Sequence, residues 1–338
     1  MEKIAVIGAG SWGTAISTLL AEKGFSVSLW ARDGDLVEAM QSLRRNPRYL
    51  PELLLPKNLY ITGDLSEVLS KAEMVALAVP SHAMRSIIRM LKDELKSNVL
   101  IVSLTKGIEV DTLMRMSEVI QGELSSTFQV NIGVLSGPNH AEEVAQKIPT
   151  ATVVSAFDKG LALKLQEVFM TPYFRVYTNP DVVGVELGGA TKNVIAIAAG
   201  ISDGLGYGDN TKASLMTRGL AEMTRLGVTL GARPLTFAGL SGVGDLIATC
   251  TSRHSRNRAV GEKLGRGMSL SQILQETTMV AEGIRTAKAV YQLAQKYEVD
   301  MPITKSVAEV IYFGKDPHDC VVELMSRGPT EEIKEGGI

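Results

Sequence analysis

A lysine stands at the head of an apolar run in the second half of the sequence. The segment reads TKNVIAIAAG, and Ile195, Ala196 and Ala199 follow Lys192 by three, four and seven residues. On a helix these residues share one face, so the spacing places an ammonium group beside a hydrophobic core. Such a charge is costly to bury unless it is paired, which makes Lys192 a candidate for proton transfer. The common alternative is a lysine whose stem covers apolar surface while its charge reaches water.

A glycine-rich turn occurs near the amino end of the sequence. Gly8, Gly10 and Gly13 have the spacing G-x-G-x-x-G, after an apolar strand-like run and before a helical one. The first glycine permits a tight turn, the second lets a pyrophosphate approach the backbone, and the third lets the helix pack on the strand. The helix start adds free N–H groups and the positive end of a dipole. The pattern predicts a dinucleotide site and disfavours a plain glycine turn.

The end of the second predicted strand bears on the choice of dinucleotide. The segment LWARDGD places Arg32 beside Asp33. An acidic residue there favours NAD through a ribose hydroxyl, whereas an arginine admits the 2′-phosphate of NADP. Because both are present, the sequence leaves NAD and NADP open, and a solvated Arg–Asp turn is a third alternative.

Further polar residues follow apolar or glycine-rich stretches. Lys106 follows the run VLIVSL, where it is placed to reach an anionic or carbonyl oxygen, although most lysines in such places are simply exposed. Asp245 follows a Gly-Val-Gly turn and is consistent with an ordinary helix N-cap. Arg253, Arg256 and Arg258 crowd a six-residue span. This spacing suits a phosphate or carboxylate, and a solvated basic turn is about as consistent with the stretch alone.

The elements that must position these residues change type along the chain. Short β-rich runs alternate with amphipathic helical segments as far as about Pro180, and only helical patterns follow an Asn-Pro-Asp cluster at 179–181. Strands that are apolar nearly throughout and alternate with helices are typical of a parallel sheet covered on both faces. The sequence therefore predicts an α/β fold. A Rossmann-type doubly wound sheet occupies residues 1–180, and an all-helical substrate-binding and catalytic domain occupies residues 181–338.

Bulk composition narrows the classes of function. The 338 residues are 45% hydrophobic and 21% charged, which is enough apolar material for two cores. A formal net charge of −2 indicates no general affinity for nucleic acids or membranes. We expect no signal peptide and no apolar run near the roughly 18 residues of a membrane span. Cys250 and Cys320 are interpreted as reduced thiols, although a bridge is not excluded, and the scattered histidines predict no metal site.

Six segments of the sequence, in order, resemble signatures of the bacterial type of NAD(P)-dependent glycerol-3-phosphate dehydrogenase. They are GAGSWGTA, LTKGIE, LSGPNHAEE, GGATKNVIAIAAGISDGLGYGDN, GLSGVGDLIATCTSRHSRNR and VAEG, and they span Gly8 to Gly283. The resemblance implies hydride transfer between C4 of a nicotinamide and C2 of a triose, interconverting sn-glycerol 3-phosphate and dihydroxyacetone phosphate. It also implies a homodimer, a cytoplasmic location and a supply of glycerol 3-phosphate for phospholipid synthesis.

The resemblance assigns roles to individual positions, with Lys192 as the catalytic acid/base. The residues implied to contact substrate are Lys106, Gly137, Asn139, Lys192, Asp245, Ser255, Arg256 and Asn257. The residues implied to contact NAD or NADP are Gly8, Gly10, Ser11, Trp12, Gly13, Arg32, Lys106, Ala141, Arg256, Val280 and Glu282. Asn139 departs from the serine or threonine more usual in the family, which affects only the detail of that contact.

Two other functions compete with this one. A dehydrogenase of the same two-domain type acting on a 3-hydroxy acid or sugar acid also uses a lysine carried on a helix, and the basic turn SRHSRNR distinguishes it. A non-catalytic dinucleotide sensor would keep the glycine turn but would not need Lys106, Lys192 and Asp245 together.

Overall fold

The computed structural model describes residues 2–125, 130–276 and 281–332. Its strands are β1 (Lys3–Ile7), β2 (Ser26–Trp30), β3 (Leu59–Thr62), β4 (Met74–Leu77), β5 (Leu100–Ser103), β6 (Asn131–Ser136), β7 (Thr150–Ala156) and β8 (Phe174–Asn179). The helices of the first half are α1 (Ser11–Glu22), α2 (Gly34–Leu43), α3 (Leu65–Leu69), α4 (Met84–Leu91), α5 (Met116–Leu124), α6 (Ala141–Ala145) and α7 (Lys159–Phe169). Those of the second half are α8 (Val182–Gly204), α9 (Asp209–Thr229), α10 (Pro234–Phe237), α11 (Asp245–Thr251), α12 (Arg256–Gly265), α13 (Leu270–Glu276), α14 (Glu282–Lys296), α15 (Pro302–Phe313) and α16 (Pro317–Met325).

The strands form one sheet in the order β3-β2-β1-β4-β5-β6-β7-β8. Every neighbouring pair is parallel except β6 and β7, which run antiparallel. Alternate residues of β1 enter different cores: Ile4 and Val6 join one apolar cluster, and Ala5 and Ile7 join the other. A sheet buried on both faces needs apolar residues at successive positions, which is the pattern read from the sequence. The predicted fold class, a doubly wound sheet followed by a helical domain, is confirmed.

The chain divides into two compact units, which differ from the division read along the sequence in the segment 106–115 and in a boundary after residue 182 instead of 180. The first unit comprises residues 1–105 and 116–182, and the second comprises residues 106–115 and 183–338. The sequence analysis placed 106–115 in the first domain because they precede the change of pattern at 179–181. In the structure they pack with the helices: Ile108 belongs to the helical core, and Arg115 forms an ion pair with Glu186 at 2.6 Å. Lys106 is therefore a residue of the helical unit.

The helix α8 corrects an expectation about membrane spans. By length and composition it could cross a membrane, although the sequence analysis expected no apolar run near that length. Of its most apolar window, 89% is buried inside the protein, and Val194, Ile195 and Ile197 lie in the core of the helical unit. Because other helices pack around α8, its apolar residues belong to the core. This is why the apolar segment is long.

Candidate active site

The glycine turn between β1 and α1 has the shape of a phosphate cradle. Gly8 has a φ of 110°, and a Cβ there would lie 2.6 Å from the Ala78 carbonyl oxygen. A Cβ on Gly13 would lie 1.8 Å from the Gly8 carbonyl oxygen, so α1 packs against the turn as closely as two backbones allow. At Gly10, by contrast, a Cβ would meet nothing within 4 Å. The open side of the turn is thus the side of Gly10.

The start of α1 adds polar groups to this cradle. Its N-cap is Gly10, so no side chain caps the first N–H groups of the helix. The Trp12 indole Nε1 is buried and has no hydrogen-bond partner among the described residues. Uncapped amides and an open glycine suit the pyrophosphate of a dinucleotide. The residues present therefore fit the NAD(P) that the sequence predicts.

Arg32 and Asp33, which are neighbours in the sequence, have different surroundings in the structure. Asp33 is the N-cap of α2, where Oδ1 accepts from Leu36 N at 3.2 Å, and Oδ2 pairs with Arg48 at 2.6 Å. Both carboxylate oxygens are thus engaged. Arg32 is exposed and makes no hydrogen bond or ion pair with the rest of the described chain. Arg32 is thus the residue of the two without a side-chain partner in the described chain, while the half-exposed Asp33 carboxylate keeps acceptor capacity, so NAD and NADP both stay open.

Three further predicted contacts lie in the first unit, after β6. Gly137 has a φ of 143°, which a residue with a side chain adopts only under strain. The Thr152 hydroxyl lies 2.8 Å from the Ser136 carbonyl oxygen and 3.0 Å from Asn139 Oδ1, so Asn139 is held against β7. Ala141 is the buried first residue of α6.

In the helical unit, Asp245 joins the two lysines that the sequence analysis named. Lys192 Nζ lies 2.9 Å from Asp245 Oδ1, and Lys106 Nζ lies 2.7 Å from Asp245 Oδ2. The side chains of Asp245, Lys192 and Lys106 are 3%, 7% and 19% exposed, so Lys106 is the most accessible of the three. The alternative for Lys192, a charge that reaches water past apolar surface, is excluded by this burial. The alternative for Lys106, an ordinary exposed lysine, is excluded in the same way.

Local structure explains how each of these side chains is aimed. Lys192 lies in the middle of α8, so its backbone is fixed by helical hydrogen bonds on both sides. Asp245 begins α11 directly after a π-helical turn over Leu240–Gly244. Thr249 is one turn further along α11, and its Oγ1 accepts from Lys192 Nζ at 2.6 Å. The sequence analysis missed Thr249, although its place four residues after Asp245 puts it on the same helix face.

The electrostatics of this cluster are strongly coupled. Burial lowers the pKa of the Lys106 ammonium to about 8, Asp245 opposes this shift, and the charge of Lys192 reinforces it. Burial raises the pKa of the Asp245 carboxyl, but Lys106 and Lys192 together outweigh burial and hold the pKa below its ordinary value. With both lysines protonated, the cluster carries one excess positive charge in a poorly solvated place. Such a charge suits an oxygen that becomes negative during a reaction.

The start of α12 is tied to the residue after Lys192. Asn257 Nδ2 donates to Asn193 Oδ1 at 2.8 Å, and Asn257 Oδ1 accepts from Gly283 N at 2.9 Å. Ser255 is the N-cap of α12 and accepts from Arg258 N at 3.2 Å. Asn193 was not among the predicted site residues, and only its position beside Lys192 could have signalled it. These bonds tie the first turn of α12 and the first turn of α14 to α8 at the residue that follows Lys192.

The three arginines of the basic turn have separate environments. Arg258 Nε donates to Asp203 Oδ2 at 2.6 Å, and Lys212 pairs with Asp203 Oδ1 at 2.6 Å. Arg258 is therefore neutralised, which corrects the interpretation of the turn as one cluster of three cations. Arg256 opens α12 and is partly buried, whereas Arg253 is exposed.

Two more predicted cofactor contacts, and a group of possible metal ligands, belong to the second half of the chain. Glu282 is the first residue of α14, and Val280 lies outside the described residues. Asp316, His318 and Asp319 bring possible metal-ligand atoms within 4.8 Å of one another, a group that the sequence analysis did not consider. All three are exposed, and Asp316 Oδ1 already caps α16 through the N–H groups of His318 and Asp319. The N-cap alone accounts for this arrangement.

Comparison with known proteins identifies the family. Residues 3–162 match the family model of the NAD-dependent glycerol-3-phosphate dehydrogenase N-terminus, and residues 181–322 match that of the C-terminus. The chain is 52% identical to glycerol-3-phosphate dehydrogenase [NAD(P)+] of Moorella thermoacetica, over 99% of both chains. It is 48% identical to the Bacillus subtilis enzyme of the same name, over 99% of this chain and 97% of that one.

A solved structure agrees with the sequence relatives. The crystal structure of glycerol-3-phosphate dehydrogenase from Coxiella burnetii superposes with a TM-score of 0.93 at 40% identity, covering 96% of this chain and 99% of that one. Relatives of this identity and coverage confirm the family that the six sequence segments predicted. The chain belongs to the NAD-dependent glycerol-3-phosphate dehydrogenase family and is an NAD(P)-dependent oxidoreductase.

Proposed function

We propose that the protein interconverts sn-glycerol 3-phosphate and dihydroxyacetone phosphate, with Lys192 as the general acid and base. The observation that supports this most strongly is the buried Lys192–Asp245–Lys106 cluster, with distances of 2.9 and 2.7 Å. It provides an acid of fixed position and a second cation beside it. A dinucleotide sensor has no need of such a cluster.

The cluster suits the reduction of a ketone. When bound, NAD(P)H supplies the hydride that adds to the carbonyl carbon. Negative charge then develops on the carbonyl oxygen, where Lys106 and Lys192 stabilise it. Lys192 donates its proton to that oxygen, and in the reverse direction its neutral amine removes the hydroxyl proton. Asp245 and Thr249 hold the Lys192 ammonium in place at 2.9 and 2.6 Å.

The first turn of α12 supports a role in holding the phosphate of the substrate. Arg256 and Asn257 begin this ten-residue helix, whose positive dipole end favours an anion. The Asn257–Asn193 hydrogen bond of 2.8 Å keeps this turn next to Lys192. A triose phosphate has its carbonyl and phosphate groups close together, so adjacent sites for the two match it better than they match a hydroxy acid without phosphate.

One assay tests the proposal. Purified protein is mixed with dihydroxyacetone phosphate and either NADH or NADPH, and the loss of nicotinamide absorbance is followed. We expect turnover, which Lys192→Ala should reduce by about 10²–10⁴-fold while NADH binding stays within about twofold. The matched control is Lys288→Ala, which removes an exposed lysine of α14. Wild-type turnover in Lys192→Ala would refute the acid/base role.

The proposal extends to the cellular context, on the strength of the family resemblance. The protein acts as a homodimer in the cytoplasm and supplies glycerol 3-phosphate for phospholipid synthesis. Light scattering tests the dimer, and a monomer mass would contradict it. A strain that lacks the gene should require added glycerol 3-phosphate for growth, and growth without it would contradict the supply role.

A further inference from the structure

The helical unit contains a cavity of about 880 Å³ that is separate from the candidate active site. Its walls come from α8, α9, α15, α16 and the segment that follows α16, and neither Lys106, Lys192 nor Asp245 lines it. This volume lies in the upper part of the range found for ligand pockets, and it is far larger than a triose phosphate requires.

Two walls of the cavity are apolar. Helix α15 contributes Ile303, Val307 and Val310, and α16 contributes Val321 and Leu324. Together they form a mostly apolar surface, interrupted by Ser306, that can accept a hydrocarbon chain.

Helix α9 contributes a polar wall that carries two arginines. Helix α9 lines the cavity with Ser214, Arg218, Glu222 and Arg225, which are spaced by three or four residues and so share one face. Arg218 donates to the Glu332 carbonyl oxygen at 3.3 Å. Arg225 donates in the same way, to the carbonyl oxygen of Asp300 at 2.8 Å. Within the described part of the chain, neither arginine forms an ion pair.

Each carboxylate that lines the cavity either accepts a hydrogen bond, forms an ion pair with another residue or is exposed to solvent. Glu222 accepts from Ile303 N at 2.6 Å and from Thr304 N at 3.0 Å, so it serves the start of α15. The Asp300 carboxylate pairs with Arg327 at 2.8 Å. Glu331 and Glu332 are exposed in the segment after α16. Glu222 interacts electrostatically with Arg225. Arg218 and Arg225 form no ion pair among the described residues, so their guanidinium groups can still bind an anion.

We propose that this cavity binds a single-chain amphiphilic anion, with its hydrocarbon chain against α15 and α16 and its carboxylate or phosphate at Arg218 and Arg225. Arginine binds both groups through paired hydrogen bonds. The apolar walls disfavour a small polar metabolite as the main ligand. The unpaired guanidinium groups favour a ligand with a negative charge over an uncharged hydrocarbon.

Calorimetry with the full chain tests the proposal, using dodecanoate and dodecyl phosphate below their micelle-forming concentrations. The comparison ligands are dodecanol, which lacks the charge, and inorganic phosphate, which lacks the chain. We expect both anionic amphiphiles to bind at least tenfold more tightly than either comparison ligand. A preference between the two anions would identify the head group, whereas dodecanol binding equally well would overturn the assignment of an anion.

Substitutions of residues that line the cavity test whether the ligand binds there. Arg218→Gln combined with Arg225→Gln should weaken binding at least tenfold, and the control Arg285→Gln, on the exposed face of α14, should change it less than twofold. Ser214→Trp fills the cavity from an exposed position on α9 and should abolish binding without unfolding the protein. Unchanged binding in these folded variants would overturn the proposal. If Ser214→Trp instead converts a dimer to a monomer and leaves dodecanoate binding intact, the cavity is a contact between copies and the proposal fails.

Discussion

Lys192 Nζ and Asp245 Oδ1 lie 2.9 Å apart in a part of the helical unit where each side chain is less than a tenth exposed. Lys106 approaches the other oxygen of the same carboxylate, at 2.7 Å. One carboxylate therefore compensates two ammonium groups. Because removal of one member of a buried ion pair leaves the other uncompensated, the stability of the site depends on Asp245.

Asp245→Asn should destabilise the protein by about 3–5 kcal/mol, the usual cost of breaking a buried pair from one side. The amide keeps the shape of the side chain but removes the charge that both lysines face. Denaturant unfolding monitored by circular dichroism measures the change. The control is Asp300→Asn, which breaks an exposed pair with Arg327 and should cost less than about 1 kcal/mol. Equal costs would show that the buried pairing contributes little.

The lowered pKa of Lys106 predicts a pH dependence of catalysis. Burial lowers this pKa to about 8, so Lys106 is charged below pH 8 and increasingly neutral above it. If its charge polarises the substrate carbonyl, kcat/KM for reduction should fall as pH rises through about 8. Lys106→Arg keeps a positive charge at every accessible pH and should remove this decline. A decline at the same pH in the arginine variant would assign it to another group.

The fold was predictable from sequence because its signals are local. The central strands of the sheet are short apolar runs, because burial on both faces of a parallel sheet makes such runs necessary. The edge strand β8, FRVYTN, instead alternates between buried and exposed residues over its first four positions. The glycine turn is also local, since three residues within six positions build it. The sequence did not show that the segment 106–115 packs with the helices, because its packing partners, such as Glu186, lie far along the chain.

The geometry of the site could be predicted only in part. Resemblance to a family grouped Lys106, Lys192 and Asp245, but no spacing rule relates Asp245 to a lysine 139 residues away. For the same reason the sequence could not separate Arg258 from its neighbours, since its partner Asp203 is 55 residues away. Thr249 is the exception, because its helical spacing from Asp245 was visible.

The positions of Arg32 and Asp33 predict how substitutions change the cofactor preference. Asp33 is engaged by the N-cap of α2 and by Arg48, whereas Arg32 is exposed and available. We expect Arg32→Ala to raise KM for NADPH at least tenfold and KM for NADH less than threefold. Arg48→Gln releases one oxygen of Asp33 and should shift the preference toward NADH. An equal effect of Arg32→Ala on both cofactors would mean that Arg32 does not bind a 2′-phosphate.

Two glycines of the turn should respond differently to the same substitution. In Gly13→Ala the new Cβ would lie 1.8 Å from a backbone oxygen, so α1 must move and Tm should fall by several degrees. In Gly10→Ala the Cβ meets nothing within 4 Å, so Tm should stay nearly unchanged while the Kd for NADH rises at least tenfold. Calorimetric unfolding and a fluorescence titration measure the two effects. Tight NADH binding by Gly10→Ala would contradict the position of the pyrophosphate.

Glu222 predicts a pH dependence of stability that is independent of catalysis. Burial raises its pKa from 4.5 to about 7, against the hydrogen bonds from the N–H groups of Ile303 and Thr304. The folded state holds the proton of the Glu222 carboxyl more tightly than the unfolded state does. The protonated carboxyl therefore makes its full contribution to the free energy of unfolding below pH 4.5, and this contribution is lost as pH rises through about 7. Glu222→Gln cannot ionise, so the stability of this variant relative to wild type should improve between pH 5 and pH 8. Urea unfolding at the two pH values measures this difference, and the exposed Glu298→Gln serves as the control. A constant difference between Glu222→Gln and wild type would show that Glu222 has the same pKa in the folded and unfolded states.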